Sequence, residues 1–95
     1  MNGIEPSKLS VIVLSGYRIS VNVNNGMLSL SDGIGNERRE GRFSRAQRSF
    51  NRLIIIGHSG YISLEAVKWL NDTGIAFAQI DYDTTYLLEK GGSRL

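Results

Sequence analysis

The sequence predicts one small α+β domain, a mostly antiparallel β fold with a single short helix inside a local β-α-β crossover. Three observations predict it. Ile19, Val21 and Val23 alternate with Ser20, Asn22 and Asn24, the period of a half-buried strand, and run into Asn25-Gly26, a strong two-residue hairpin signal. The segment Leu53–Asp81 reads as strand, glycine turn, capped helix and strand. The chain has 95 residues and no cysteine, so a modest core must stabilise it without disulfides or thiolate metal sites.

Taken in order, Leu9–Leu14 is a strand and Gly16-Tyr17 the turn after it, with Tyr17 at the turn. Met27–Leu30 returns from the Asn25-Gly26 hairpin. Asp32-Gly33-Ile34-Gly35-Asn36 is a further turn. It has neither the carboxylate spacing of a calcium loop nor the Gly-Lys-Ser/Thr of a phosphate loop, and no ligand is assigned to it.

The apolar, β-branched run Leu53–Ile56 suits a strand buried on both faces. Ser63 is placed to cap a helix, and Glu65 lies in its first turn, where the helix dipole favours negative charge. Leu64, Val67 and Leu70, widened by Ala66 and Trp69, are the expected core face, with Glu65, Lys68, Asn71 and Asp72 opposite. Gly74 ends the helix and Ile75–Ile80 resumes an extended run. Such a crossover places its two strands parallel in one sheet. Thr84–Leu88 is a short last strand before a loose Gly91-Gly92-Ser93-Arg94 tail.

Gly57-His58-Ser59-Gly60 has the outline of a hydrolase elbow, but the Gly-x-Ser-x-Gly spacing fails, because Tyr61 stands where the last glycine belongs. The chain's one histidine, His58, is adjacent to Ser59 and cannot be the separate base that a triad requires. The motif reads as a glycine turn with a polar tip, and His58 as a locally hydrogen-bonded residue.

The formal net charge of +2 hides an uneven distribution. Arg38, Arg39, Arg42, Arg45, Arg48 and Arg52 crowd one segment, opposed there by Glu37 and Glu40. All are arginines, the side chain that pairs bidentately with phosphate. Two readings stand: a solvated loop, or a patch that tracks the phosphates of a nucleic acid. No apolar stretch has membrane-spanning length and the first residues lack a secretory pattern. A cytoplasmic protein without a membrane partner is therefore expected.

Leu-Ser-Gly-Tyr (14–17), Asn-Asn-Gly-Met-Leu-Ser-Leu (24–30), Arg-Phe-Ser-Arg-Ala-Gln-Arg (42–48) and Ile-Ile-Gly-His-Ser-Gly-Tyr-Ile-Ser-Leu-Glu-Ala-Val-Lys-Trp-Leu (55–70), followed by Gly-Ile-Ala-Phe and Asp81, form a long ordered pattern. From about Leu9 onward it resembles the N-terminal β domain of the CRISPR-associated spacer-acquisition integrase, the metal-dependent Cas endonuclease that inserts new spacers. One departure follows the aspartate: such domains commonly run into a residue-and-glycine turn, where this chain has Asp81-Tyr82-Asp83-Thr84-Thr85.

The resemblance implies a domain that pairs two integrase subunits as a homodimer. It also implies contact with double-stranded DNA during capture of foreign DNA in antiviral defence, and proximity to a small CRISPR-associated bridging partner. It implies that Tyr17 wedges against the end base pair of captured DNA, and it favours the phosphate reading of the six arginines. The divalent metal of the full-length family, Mg or Mn, is held by a glutamate, a histidine and an acidic residue of a helical C-terminal domain. Residues 1–95 are thus expected to be the N-terminal β domain alone, with no cofactor, no catalytic residue and no cleavage activity. The alternative is a stand-alone structural or regulatory module that dimerises and never meets DNA.

Overall fold

Two-residue periodicity and tight turns build the first sheet of the computed structural model, which describes residues 2–46 and 49–81 with their side chains and the backbone of 87–90. Strand β1 is Asn2–Gly3, β2 Val11–Ser15, β3 Ile19–Asn24, β4 Met27–Asp32 and β5 Arg39–Phe43. After them come β6 (Arg52–Ile56), β7 (Gly60–Ile62), helix α1 (Leu64–Asp72), β8 (Ala76–Ile80) and β9 (Leu87–Lys90). Asn25 and Gly26 both take positive φ, 55° and 78°, as the tight turn between β3 and β4 requires. A single 3-10 turn, Gly35–Glu37, leads from β4 to β5.

One sheet has five strands in the order β1-β5-β4-β3-β7, the other four in the order β2-β6-β8-β9. Ile19, Val21, Leu28, Leu30 and Phe43 of the first sheet and Ile12, Leu14, Leu53, Ile55 and Phe77 of the second are buried in one core. Each such side chain contributes roughly 2 kcal/mol by leaving water.

The expectation of a mostly antiparallel fold is corrected. β3–β4, β4–β5 and β8–β9 pair antiparallel, but β1–β5, β2–β6, β3–β7 and β6–β8 pair parallel. Antiparallel pairs such as β3–β4 are announced by a turn between sequence neighbours. Parallel partners such as Val11 and Arg52 are far apart in sequence, and no local pattern joins them. The crossover itself forms as expected, with β6 and β8 parallel on either side of α1.

Ser63 Oγ accepts the Ala66 N–H at 3.0 Å, which is the expected cap. The helix packs on the expected face except at its first residue: Ala66, Trp69 and Leu70 are buried and Val67 is half-buried, but Leu64 is exposed. At 100° per residue Leu64 lies far round the helix from Ala66, and the large Trp69 ring sets the buried direction. The Trp69 indole N–H donates to the Gly26 carbonyl at 3.1 Å, tying the helix to the β3–β4 turn. The strand expected over 84–88 falls mostly outside the described residues, the backbone pairing with β8 at Leu87–Lys90. Among the described residues, no helix is long and apolar enough to cross a membrane.

Candidate nucleic-acid interface

Residues opposite one another in a sheet share a face, and the register of the five-stranded sheet gathers polar side chains on its outer one. Ser20 opposes Ser31 and Asn22 opposes Ser29 across β3–β4. Ser29 opposes Arg42 and Ser31 opposes Glu40 across β4–β5, and Tyr61 pairs with Ser20 from β7. Asn22 Nδ2 donates to the Tyr61 hydroxyl at 2.9 Å and to Ser20 Oγ at 3.1 Å. Arg38 Nη2 donates to Ser31 Oγ at 2.8 Å. Hydrogen bonds from Ser20 and then Asn22 lower the pKa of the exposed Tyr61 phenol from its ordinary value. Hydroxyls, amides and guanidinium groups are the side chains that contact DNA backbone.

The turn carrying Tyr17 borders this face. Tyr17 is 65% exposed, between Gly16 and Arg18, both at positive φ. Its carbonyl accepts the Gly33 N–H at 2.8 Å. Arg38 Nη1 donates to the carbonyls of Arg18 and Gly33, at 3.1 and 2.8 Å. The Arg18 N–H donates to Ser59 Oγ at 3.4 Å. Tyr17 therefore projects from a turn braced by two other loops.

The five described arginines of this segment have different surroundings. Arg38 braces loops as above. Arg39 is a fold residue: its Nε and Nη2 donate to both Asp32 carboxylate oxygens, at 2.9 and 2.7 Å, and Nη2 also donates to the Val13 carbonyl at 2.9 Å. Arg45 lies over the Trp69 ring, 5.6 Å from its centroid, and 3.8 Å from Asp72. The rings of Phe43 and Phe50 meet edge-on, 5.1 Å apart. Arg42 and Arg52 are exposed on their strands, while Arg48 lies outside the described residues.

Asp32 is the residue that sequence reasoning missed. It opens the turn expected over 32–36, yet it ends β4 and is 3% exposed. The signal was available: Leu28, Leu30 and Asp32 share one face of the strand, and a carboxylate on a core face needs a partner. Burial alone would raise its pKa. The Arg39 hydrogen bonds, the Ser15 N–H at 2.8 Å and the charges of Arg39 and Arg38 outweigh that effect and hold it below its ordinary value. The same pairing raises the Arg39 pKa against the desolvation that opposes it.

At Gly57-His58-Ser59-Gly60, His58 Nδ1 lies 3.4 Å from Asp81 Oδ1, and Ser59 Oγ accepts from the Arg18 backbone. Neither interaction gives Ser59 a histidine base. Among the described residues no three His, Cys, Asp or Glu side chains converge as a metal site.

Two solved structures are similar to this chain. A casposase bound to integration product aligns with a TM-score of 0.75 and 25% identity, over 88% of this chain and 26% of that chain. A TtCas1–DNA complex aligns with a TM-score of 0.61 and 18% identity, over 93% of this chain and 32% of that chain. The second likeness is one of fold alone. The chain thus spans roughly a quarter to a third of the length of these proteins. No protein-family model and no curated protein matches it.

Proposed function

From the Cas1-like fold of this chain we propose that it is a DNA-contacting and subunit-pairing β domain of an integrase that inserts captured DNA, as spacers, into a CRISPR array. The observation that carries the reading is the likeness to a casposase bound to integration product, over nearly the whole of this chain. The polar sheet face, from Ser29 and Arg42 to Tyr61, supports it by offering backbone-binding side chains beside an exposed Tyr17. In this reading Arg42, Arg45, Arg48 and Arg52 supply phosphate contacts, Arg38 and Arg39 hold the fold beneath them, and Tyr17 abuts the end base pair. Metal-dependent strand chemistry belongs to the rest of the integrase, and a small CRISPR-associated protein would bridge its dimers.

The combined Arg42→Glu, Arg48→Glu, Arg52→Glu variant leaves the Arg45–Trp69 contact intact. It is expected to bind a blunt duplex more than tenfold more weakly at low salt. The slope of log affinity against log salt should flatten by about 2 to 3, since each phosphate contact contributes roughly 0.9. A titration superimposable on the wild type would overturn the phosphate assignment and favour the module that dimerises without DNA.

Subunit pairing is supported by the unequal edges of the two sheets. The outer edge of β2 is closed by Asp32 on the Ser15 N–H, Arg39 on the Val13 carbonyl and the Ser7 N–H on the Val11 carbonyl. β7 ends its sheet beside exposed Tyr61 and Leu64, an edge of the kind that pairs with another chain. Sedimentation at rising concentration should show a dimer, and a monomer throughout would sink this part of the reading.

A further inference from the structure

We infer that the cleft behind the Gly57-His58-Ser59-Gly60 turn is a pocket for one unpaired nucleobase at the end of a DNA duplex. The inference rests on the DNA-binding reading above and adds a ligand to it. The cleft has a volume of about 270 Å³, just below the usual range of drug-sized ligand sites, which suits one planar heterocycle. Ile19, Ile55, Ile62, Val67 and Phe77 make its apolar walls, contributed by both sheets and the helix.

A few polar residues line it as well. Gly57 and Gly60 present backbone there without side chains, beside His58, Ser59 and Gln79. The His58 side chain is 62% exposed. Gln79 is held in place by its Nε2 donating to the Gly57 carbonyl at 2.8 Å, and a primary amide also carries an acceptor oxygen. A base has two apolar faces and a hydrogen-bonding edge, and protein sites take unpaired bases by stacking them while reading that edge. An apolar side chain from a protein partner would fill the cleft but make no use of the imidazole, hydroxyl and amide among its lining residues.

The cleft is continuous with the proposed DNA face. Tyr61 lines it and also stands on the polar face, accepting from Asn22. Ser59, which also lines it, accepts the backbone N–H of Arg18 next to Tyr17. In the DNA-binding reading, a duplex lying on the sheet and ending against Tyr17 would have its terminal nucleotide near this cleft.

The test compares three DNA probes by fluorescence anisotropy at one low salt concentration: a blunt duplex, the same duplex with a one-nucleotide 3′ extension, and the same with an abasic extension. The base-bearing extension should bind about tenfold more tightly than the abasic one, within the range measured for stacking one base on protein. Val67→Phe, which fills the cleft, should erase that difference and leave the blunt duplex bound as before. A 2-aminopurine extension on the wild type should change its fluorescence on binding, independently of how well the variant folds. Equal affinity for base and abasic extensions, with blunt binding intact, would overturn the pocket and leave the DNA-binding reading standing. Loss of binding to all three would overturn that reading and the pocket with it. A Val67→Phe variant that changes self-association but keeps the base preference would assign the cleft to a second copy of the chain.

Discussion

Replacing Asp32 by alanine is expected to destabilise the domain by about 3 kcal/mol, read as a lower urea midpoint with an unchanged slope. The carboxylate accepts from Arg39 through both oxygens and from the Ser15 N–H. Arg39 in turn donates to the Val13 carbonyl. Asp32 and Arg39 belong to the five-stranded sheet, Val13 and Ser15 to the other, so this pair ties the two sheets at the β2 edge. Removing one member leaves a guanidinium and an N–H without their acceptor. Breaking a buried pair this way costs about 3–5 kcal/mol, and the lower end applies because the Arg39 side chain is 36% exposed.

The same group sets an acid limit. Its folded pKa lies below the ordinary value of 3.8, so its contribution is present above the unfolded pKa and is lost as pH falls through the folded one. Stability from this group should be flat between neutrality and about pH 5 and fall below pH 4. Asp32→Asn should be less stable at neutral pH and should lack that part of the acid limb. A variant that melts with the wild type at every pH would show that the pair contributes nothing net.

Gly60→Ala is expected to cost at least as much, about 3 kcal/mol or more. Gly60 has φ +141°, and a residue with a side chain held in such a region costs about 1–3 kcal/mol by itself. A Cβ there would also overlap the backbone carbonyl of Ile19. β7 would have to move off β3, breaking the 2.9 Å bond from the Ile19 N–H to the Ser59 carbonyl. Gly26→Ala is the matched control, with φ +78° and nothing within 4 Å of its Cβ, and should cost about 1 kcal/mol. Equal melting temperatures for the two variants would show that close β3–β7 contact is not what demands glycine at position 60.

The residues that proved legible in the sequence carry local signals. Ser63 and Ala66 are three positions apart, Asn25 and Gly26 adjacent, and the β3–β4 alternation lies within one hairpin. β1 and β7 were missed because segments of two and three residues carry no period. β5 was missed because Arg39, Glu40 and Arg42 hid its alternation inside a charged run. That run, read as one basic segment, separates into a loop brace at Arg38, an inter-sheet ion pair at Arg39, a ring-stacked cation at Arg45 and exposed positions at Arg42 and Arg52.

By itself the sequence determined the Asn25-Gly26 hairpin, the capped helix and the parallel β6-α1-β8 crossover, since turn angles, capping bonds and chain connectivity act over a few residues. It also carried the likeness to the integrase β domain. Only the tertiary structure decided that the sheets are mixed, that Asp32 is the buried partner of Arg39, and that Gly57-His58-Ser59-Gly60 braces the Tyr17 turn. Those outcomes depend on partners 7 to 41 positions away, as in Asp32–Arg39 and Arg18–Ser59. A buried charge or a bare N–H takes whichever partner the folded backbone brings within reach.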